Sequence, residues 1–132
     1  MSLKHEFLLL QGNFKEYNFS YPLYEKKENG GSSQGFFTLL DEVVLHDDTV
    51  QRLIQAFDID SYNPSTETFS KGLNYHGVTI FESHGKRLLG IALNELMKTR
   101  TLSETEFELI LNLAHICEKE FAENLFLFHC GI

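Results

Sequence analysis

Cysteine, positive charge and long apolar runs are all scarce in this chain of 132 residues. Two cysteines, Cys117 and Cys130, are too few for a disulfide scaffold, so reduced thiols are expected. No C-x-x-C or H-x-x-x-H spacing accompanies the six histidines. His115 and Cys117 would fall on different faces of a helix, and His129 and Cys130 on opposite sides of a strand, so no metal and no cofactor is expected. Apolar runs such as Phe7–Leu10 and Leu125–Phe128 fall far short of the roughly 20 residues a membrane helix needs. The N-terminal Met1-Ser2-Leu3-Lys4-His5-Glu6 is charged at once and does not read as a signal peptide, which makes the cytoplasm the expected address. With 11 Lys and Arg against 19 Asp and Glu, the net charge of −8 disfavours nucleic acid and anionic membrane surfaces and favours basic partners.

What is present is an apolar, aromatic content of 42% and 13%, enough to fold as one ordinary domain. The charge is uneven. Between Phe36 and Ser70, seven carboxylates (Asp41, Glu42, Asp47, Asp48, Asp58, Asp60, Glu67) face the single cation Arg52. From Leu102 to the end, six glutamates face Lys119, whereas the stretch from Lys86 to Thr101 is net positive and is placed to pair with these acidic neighbours. A surplus of carboxylates also serves solubility alone.

Read along the chain, His5–Leu10 and Phe14–Ser20 look like a β-hairpin around Gln11-Gly12-Asn13. The charged, then Gly/Ser-rich stretch from Glu25 to Gly35 reads as a linker loop, because it lacks the GxxxxGK[ST] pattern of a phosphate cradle. Phe36, Phe37, Leu40, Val43 and Val44 fall close to one helical stripe, predicting a helix over Gly35–Leu45. A second helix is expected at Thr49–Phe57, capped by Asp47 or Asp48, with Val50, Leu53, Ile54 and Phe57 inward. Asp58–Asn74, containing Asn63-Pro64, reads as a polar loop, and its Asp58-Ile59-Asp60 start lacks the glycine and glutamate of a calcium loop. Tyr75–Glu82 is a central strand, followed by a helix from about Gly85 to Lys98 with Leu88, Leu89, Ala92, Leu93, Leu96 and Met97 inward. Ser103 and Glu106 form a capping-box pattern, with Leu102 and Phe107 as its hydrophobic staple. That helix is expected to run to about Glu123, burying Phe107, Ile110, Leu111, Ala114, Cys117 and Phe121, before a final strand at Leu125–Cys130. Together these elements predict a single α+β domain over residues 1–132, a mixed or antiparallel sheet packed against several helices.

Candidate chemistry is sparse. His76 and His84 flank one strand near Ser83, but Ser83-His84-Gly85 is not a G-x-S-x-G elbow, and a serine before a helix is usually a cap. Cys117 and Cys130 read as small buried hydrophobes. The paired carboxylates Asp41-Glu42 and Asp47-Asp48 sit where helix ends commonly place acidic residues. No catalytic residue is assigned.

The acidic stretch from Asp41 to Asp60, the strand Gly77-Val78-Thr79-Ile80-Phe81 leading into the Lys86–Lys98 helix, and the lack of a catalytic signature give the chain a general character. In that character it resembles the small immunity proteins of bacterial toxin–immunity systems, including contact-dependent inhibition and polymorphic toxins. The resemblance implies a non-enzymatic inhibitor that occludes a basic, nuclease-type toxin, with Asp41, Glu42, Asp47, Asp48, Asp58 and Asp60 as the partner-binding residues. Two alternatives stay open: a small enzyme with an unrecognised histidine site, and a regulatory or assembly module. An acidic exposed patch favours the inhibitor, a cleft with converging histidines the enzyme, and a large exposed apolar patch the assembly module.

Overall fold

A computed structural model of the chain describes residues 3–13, 24–26, 37–120 and 124–131. They form an α+β fold in which one seven-stranded sheet carries its helices on one face. The strands are β1 (Lys4–Gln11), β2 (Tyr24–Lys26), β3 (Phe37–His46), β4 (Asp60–Asn63), β5 (Thr68–Lys71), β6 (Val78–Phe81) and β7 (Leu125–Cys130). Their order is β2-β3-β1-β7-β6-β4-β5, and every pairing is antiparallel except β2 with β3. The helices are α1 (Asp47–Arg52), α2 (Ser83–Thr99) and α3 (Glu104–Glu118), with a 3-10 turn at Ile54–Phe57 between α1 and β4. No helix among the described residues is long and apolar enough to cross a membrane.

β1 is central because both of its faces are apolar. Phe7 and Leu9 point into the cluster shared with α1, α2 and α3, while Leu8 and Leu10 join Phe37, Tyr62, Ile80, Phe126 and Phe128 in a second buried cluster. That division follows the two-residue period of a strand. β7 repeats it, with Leu125 and Leu127 on the helical side and Phe126 and Phe128 on the other. The expected second strand of the N-terminal hairpin, Phe14–Ser20, lies outside the described residues, as does most of the expected linker loop.

The segment expected as a helix at Gly35–Leu45 is instead strand β3. The register of β1 on β3 steps from Leu9↔Asp41 to Leu10↔Leu39, leaving Leu40 as a one-residue bulge. A bulge reverses side-chain parity. Phe37 and Leu39 therefore face one cluster, while Leu40, Val43 and Leu45 face the other. The resulting apolar spacing mimics a helical stripe, which is why periodicity misled.

The expected polar loop at Asp58–Asn74 contains the β4–β5 hairpin. Its loop spans residues 64–67, where Asn63 Oδ1 accepts from the Ser65 amide at 2.9 Å and Glu67 adopts a positive φ of 54°. At its base the Gly72 amide donates to the Ile59 carbonyl, and the Ser61 hydroxyl to the Gly72 carbonyl. All four β5 residues are exposed, so no apolar alternation marked this strand in the sequence. The helix expected at Thr49–Phe57 begins two residues earlier, at Asp47, and tightens into the 3-10 turn. His46 occupies its N-cap without a side-chain bond, leaving Asp47 and Asp48 in the first turn, where they still complement the helix dipole.

α2 starts at Ser83, with Glu82 rather than Ser83 at the N-cap position. Gly85 allows it to reach the sheet: a Cβ there would lie 2.4 Å from the Asp60 carbonyl oxygen. α3 opens with the expected capping box, in which the Glu106 amide donates to Ser103 Oγ at 3.1 Å and the Ser103 amide to Glu106 Oε1 at 3.2 Å. The other carboxylate oxygen of Glu106 accepts from Thr49 Oγ1 and pairs with Arg52, tying α3 to α1. The buried stripe of α3 comprises Ile110, Leu113, Ala114, Ile116 and Cys117, while the proposed staple residue Phe107 is 44% exposed. Phe121 lies outside the described residues.

α3 ends at Glu118 rather than near Glu123, and Lys86 explains the stop. Its side chain is completely buried, and its Nζ donates to the Cys117 carbonyl at 2.8 Å and the Lys119 carbonyl at 2.6 Å. A helix C-terminus carries unsatisfied carbonyls and partial negative charge, which an ammonium satisfies. Lys86 thus pairs with backbone rather than with an acidic side chain. The expected pairing of the basic stretch with its acidic neighbours forms at Arg87–Glu120, while Lys98 pairs with Glu95 inside the stretch itself.

Candidate functional site

The fold separates the six carboxylates assigned to partner binding. Asp41 and Glu42 are adjacent on β3, with Asp41 turned toward the end of α3, where Lys119 Nζ lies 2.8 Å from its Oδ2. Glu42 is exposed. Asp47 is engaged internally, through His5 Nε2 at 2.9 Å and Gln51 Nε2 at 2.8 Å. Asp48 is exposed one position on. Asp58 follows the 3-10 turn, and Asp60 opens β4 opposite Lys71. β3 and β4 are separated by β1, β7 and β6, a lateral span of about 19 Å at about 4.8 Å per strand. The six carboxylates therefore fall in three places: Asp41 and Glu42 on β3, Asp47 and Asp48 in the first turn of α1, and Asp58 and Asp60 at the entry to β4.

The groups the fold does bring together are histidines. His5 Nδ1 and His129 Nε2 are 2.8 Å apart, and the two rings stack at a centroid distance of 5.1 Å. His129 Nδ1 is 3.3 Å from Thr79 Oγ1, which in turn accepts from the Asn74 amide at 2.6 Å. The Asp47 carboxylate only accepts, so His5 donates to it from Nε2; when the His5 ring is neutral its Nδ1 is an acceptor. His129 then donates from Nε2 and accepts at Nδ1 from the Thr79 hydroxyl. One polarity runs through the chain Asn74, Thr79, His129, His5, Asp47, joining β6, β7, β1 and α1. Tyr75 closes the side, edge-on to His5 at 4.9 Å and accepting from Gln51 Nε2 at 2.9 Å.

Both rings are 0% exposed and Thr79 is 2% exposed. Burial, reinforced by the neighbouring His5, pushes the His129 imidazole down to about 3, which keeps it neutral as the hydrogen-bond polarity requires. Such a chain specifies strand register and holds α1 against the sheet; reactants in solution do not reach its rings. The sequence contained half of this signal. His5 shares parity with Phe7 and Leu9, and His129 with Leu127, so both lie on the core side of strands. Their meeting depends on the β1–β7 register, in which Phe7 opposes His129.

The residues considered for nucleophilic chemistry do not converge. His76 and His84 are exposed, and His76 stands edge-on to Tyr75 at 5.1 Å. Ser83 is the exposed first residue of α2. Cys117 is core, its thiol pushed up to about 12 by burial. Cys130, expected to be buried, is exposed: it ends β7 between Glu6 of β1 and Val78 of β6, at the rim of the second apolar cluster. Among the described residues no three His, Cys, Asp or Glu side chains form a metal-binding group.

Two larger cavities open beside the start of α2. One, of about 440 Å³, is lined by Glu82, Ser83, Lys86, Lys119, Glu120 and Asn124 among others. Burial lowers the Lys86 ammonium from its ordinary value, against the opposing pull of Cys117 and Glu120. The other, of about 450 Å³, is lined by Phe69, Ser70 and Lys71 of β5, by Asp60 and Ser61 of β4, and by Glu82, His84 and Gly85 around the start of α2. No family model, curated protein or solved structure matches the chain.

Proposed function

We propose that this chain is a toxin-neutralising protein of the immunity type, which binds a basic, nuclease-type protein and occludes its phosphate-gripping surface without chemistry of its own. The observation that carries the reading is the set Glu42, Asp48, Asp58 and Asp60, all exposed and none in an ion pair among the described residues. On a protein of net charge −8 these carboxylates attract cationic surfaces, speed encounter and make association sensitive to salt. Asp41 and Asp47 contribute to the field but are committed to Lys119 and His5. The reading also fits the burial of the converging histidines, which leaves the alternative enzyme reading without an accessible imidazole pair.

The test is co-expression with the protein encoded immediately upstream, scored as cell survival. The wild-type chain should protect, and a variant with Glu42, Asp48, Asp58 and Asp60 all changed to lysine should not, while keeping its far-ultraviolet circular dichroism and melting midpoint. Equal protection by the folded reversed variant, or an upstream product that is harmless and does not bind, would remove the reading.

A further inference from the structure

The hydrogen-bonded chain through the two histidines runs from one part of the surface to another. At one end stands Asp47, whose side chain is 16% exposed. At the other, Thr79 and Asn74 line a cavity of about 170 Å³ with Ser61, Ser70, Lys71 and Gly72, and Ser70 and Lys71 are exposed at its rim. A polar space of that size admits water. Between the ends lie two imidazoles, each bonded through both ring nitrogens. Such a ring can give up a proton at one nitrogen as it gains one at the other. Of the titratable groups around the pair, Asp47 from α1 and Tyr75 from the segment before β6 face His5. β3 sets Leu45 opposite His5, and Phe7 of β1 packs on His129. Lys4 and Glu6 of β1, His46 of β3 and Cys130 of β7 project to the opposite side of the sheet.

With both rings neutral, donation runs from Thr79 through His129 and His5 to Asp47. We propose that the chain is a proton relay with two polarities: a proton taken up at the Thr79 cavity reverses the two inner hydrogen bonds and leaves its charge on His5, in contact with Asp47. A hydronium in the cavity gives its proton to Thr79 Oγ1 and leaves as water. The Thr79 hydroxyl proton passes to His129 Nδ1, and the His129 Nε2 proton crosses 2.8 Å to His5 Nδ1. No bond of the chain is lost. Thr79 Oγ1 then accepts from His129 and still accepts from the Asn74 amide, while its own proton faces the cavity. His129 is neutral in both polarities and changes only its tautomer, in keeping with the burial that pushes its imidazole down to about 3. The charge rests instead where a carboxylate meets it, and the His5–Asp47 hydrogen bond becomes an ion pair. In mild acid, α1 therefore stays docked on the sheet and one carboxylate of its first turn is neutralised. The relay does not depend on the acidic-surface reading, and failure of either leaves the other standing.

The test uses the full chain with nitrogen-15-labelled histidine, titrated from about pH 8 to about pH 4.5 and read by the ring-nitrogen shifts and their couplings to ring protons. These distinguish the two neutral tautomers and the charged ring, residue by residue. At the alkaline end both rings should carry their proton on Nε2. On acidification His5 should gain a second proton, and over the same range His129 should move from the Nε2–H to the Nδ1–H form while remaining neutral. In Asp47→Asn the amide offers a charged His5 no counter-ion, so the coupled change should need at least about tenfold more acid. Coupled change at the wild-type pH in a folded Asp47→Asn variant would overturn the placement of the charge. In the wild-type chain, His5 charging while His129 keeps Nε2–H, or His129 charging before His5, would overturn the relay. So would loss of the fold, followed by far-ultraviolet circular dichroism, before either ring changes.

Discussion

His129 Nε2 and His5 Nδ1 lie 2.8 Å apart, His129 donating when both rings are neutral, in a setting where neither ring touches solvent. The pair is stable because each remaining ring nitrogen has its own partner, Asp47 on one side and Thr79 on the other. A buried polar pair left half-satisfied would cost more than an apolar one of the same shape. The chain of four hydrogen bonds from Asn74 to Asp47 therefore works as a register lock: sliding β1 against β7 by one residue would break it and send Phe7 and Leu9 to the wrong face.

Acid should weaken this lock. The His129 imidazole is held down to about 3 by burial, against 6.5 in an unfolded chain, so between those values the unfolded state binds more protons. Stability contributed by the neutral ring is complete above about pH 6.5 and lost as pH falls through that window, by on the order of a few kcal/mol. Urea titrations from pH 7.5 to pH 4 should show the loss. In a folded His129→Phe variant the slope over this range should be shallower; an identical slope would assign the acid sensitivity elsewhere.

The capping box gives a second prediction. Ser103→Ala removes one amide acceptor and should cost about 0.5–2 kcal/mol. Glu106→Ala should cost more, because the same carboxylate also holds Thr49 and Arg52 and so joins α3 to α1. Denaturant midpoints for the two variants test the ranking, and equal losses would mean that the α1 contacts contribute nothing.

Features written in local sequence were legible: the capping box, the strands at the two ends, and the apolar stripe of α2 through Leu89 and Leu93. Features that depend on pairing were not. One bulge at Leu40 turned a strand pattern into a helix pattern, and an exposed edge strand left β5 with no pattern to read. Likewise, nothing in the spacing from position 5 to 129 indicates that two histidines share a hydrogen bond. The acidic run from Asp41 to Asp60 was legible as charge, but only the strand order reveals that it is divided.

Lys86 illustrates the same limit and yields a third prediction. A lysine one turn into a helix normally extends to water, yet this one crosses to the end of α3 and satisfies two carbonyls there. Lys86→Met keeps the apolar stem and removes the donors, so both carbonyls lose their partner; a loss of about 1–3 kcal/mol is expected. Hydrogen exchange should quicken selectively in the last turn of α3. Uniform acceleration throughout the sheet would contradict a capping role.

The neighbouring aspartates Asp47 and Asp48 should separate folding from binding. Asp47 is the acceptor that fixes the His5 tautomer and also receives Gln51, and its side chain is only 16% exposed. In Asp47→Asn one terminal atom becomes a donor; if the amide presents its oxygen to His5, it turns its NH₂ toward the Gln51 NH₂, and the reverse orientation opposes the His5 donor. Either way one hydrogen bond is lost, and stability should fall by about 1–3 kcal/mol. Asp48 is exposed and in no ion pair among the described residues, so Asp48→Asn should leave the denaturation midpoint within about 0.5 kcal/mol. Its effect should appear instead as slower association with a cationic partner and a weaker dependence of that rate on salt, because one surface charge has been removed from the attracting field. Paired measurements on the two variants thus distinguish roles that adjacent, chemically identical residues conceal. A stability loss in Asp48→Asn equal to that in Asp47→Asn would mean the acidic pair acts through the α1 helix dipole as a unit and would withdraw Asp48 from the binding surface.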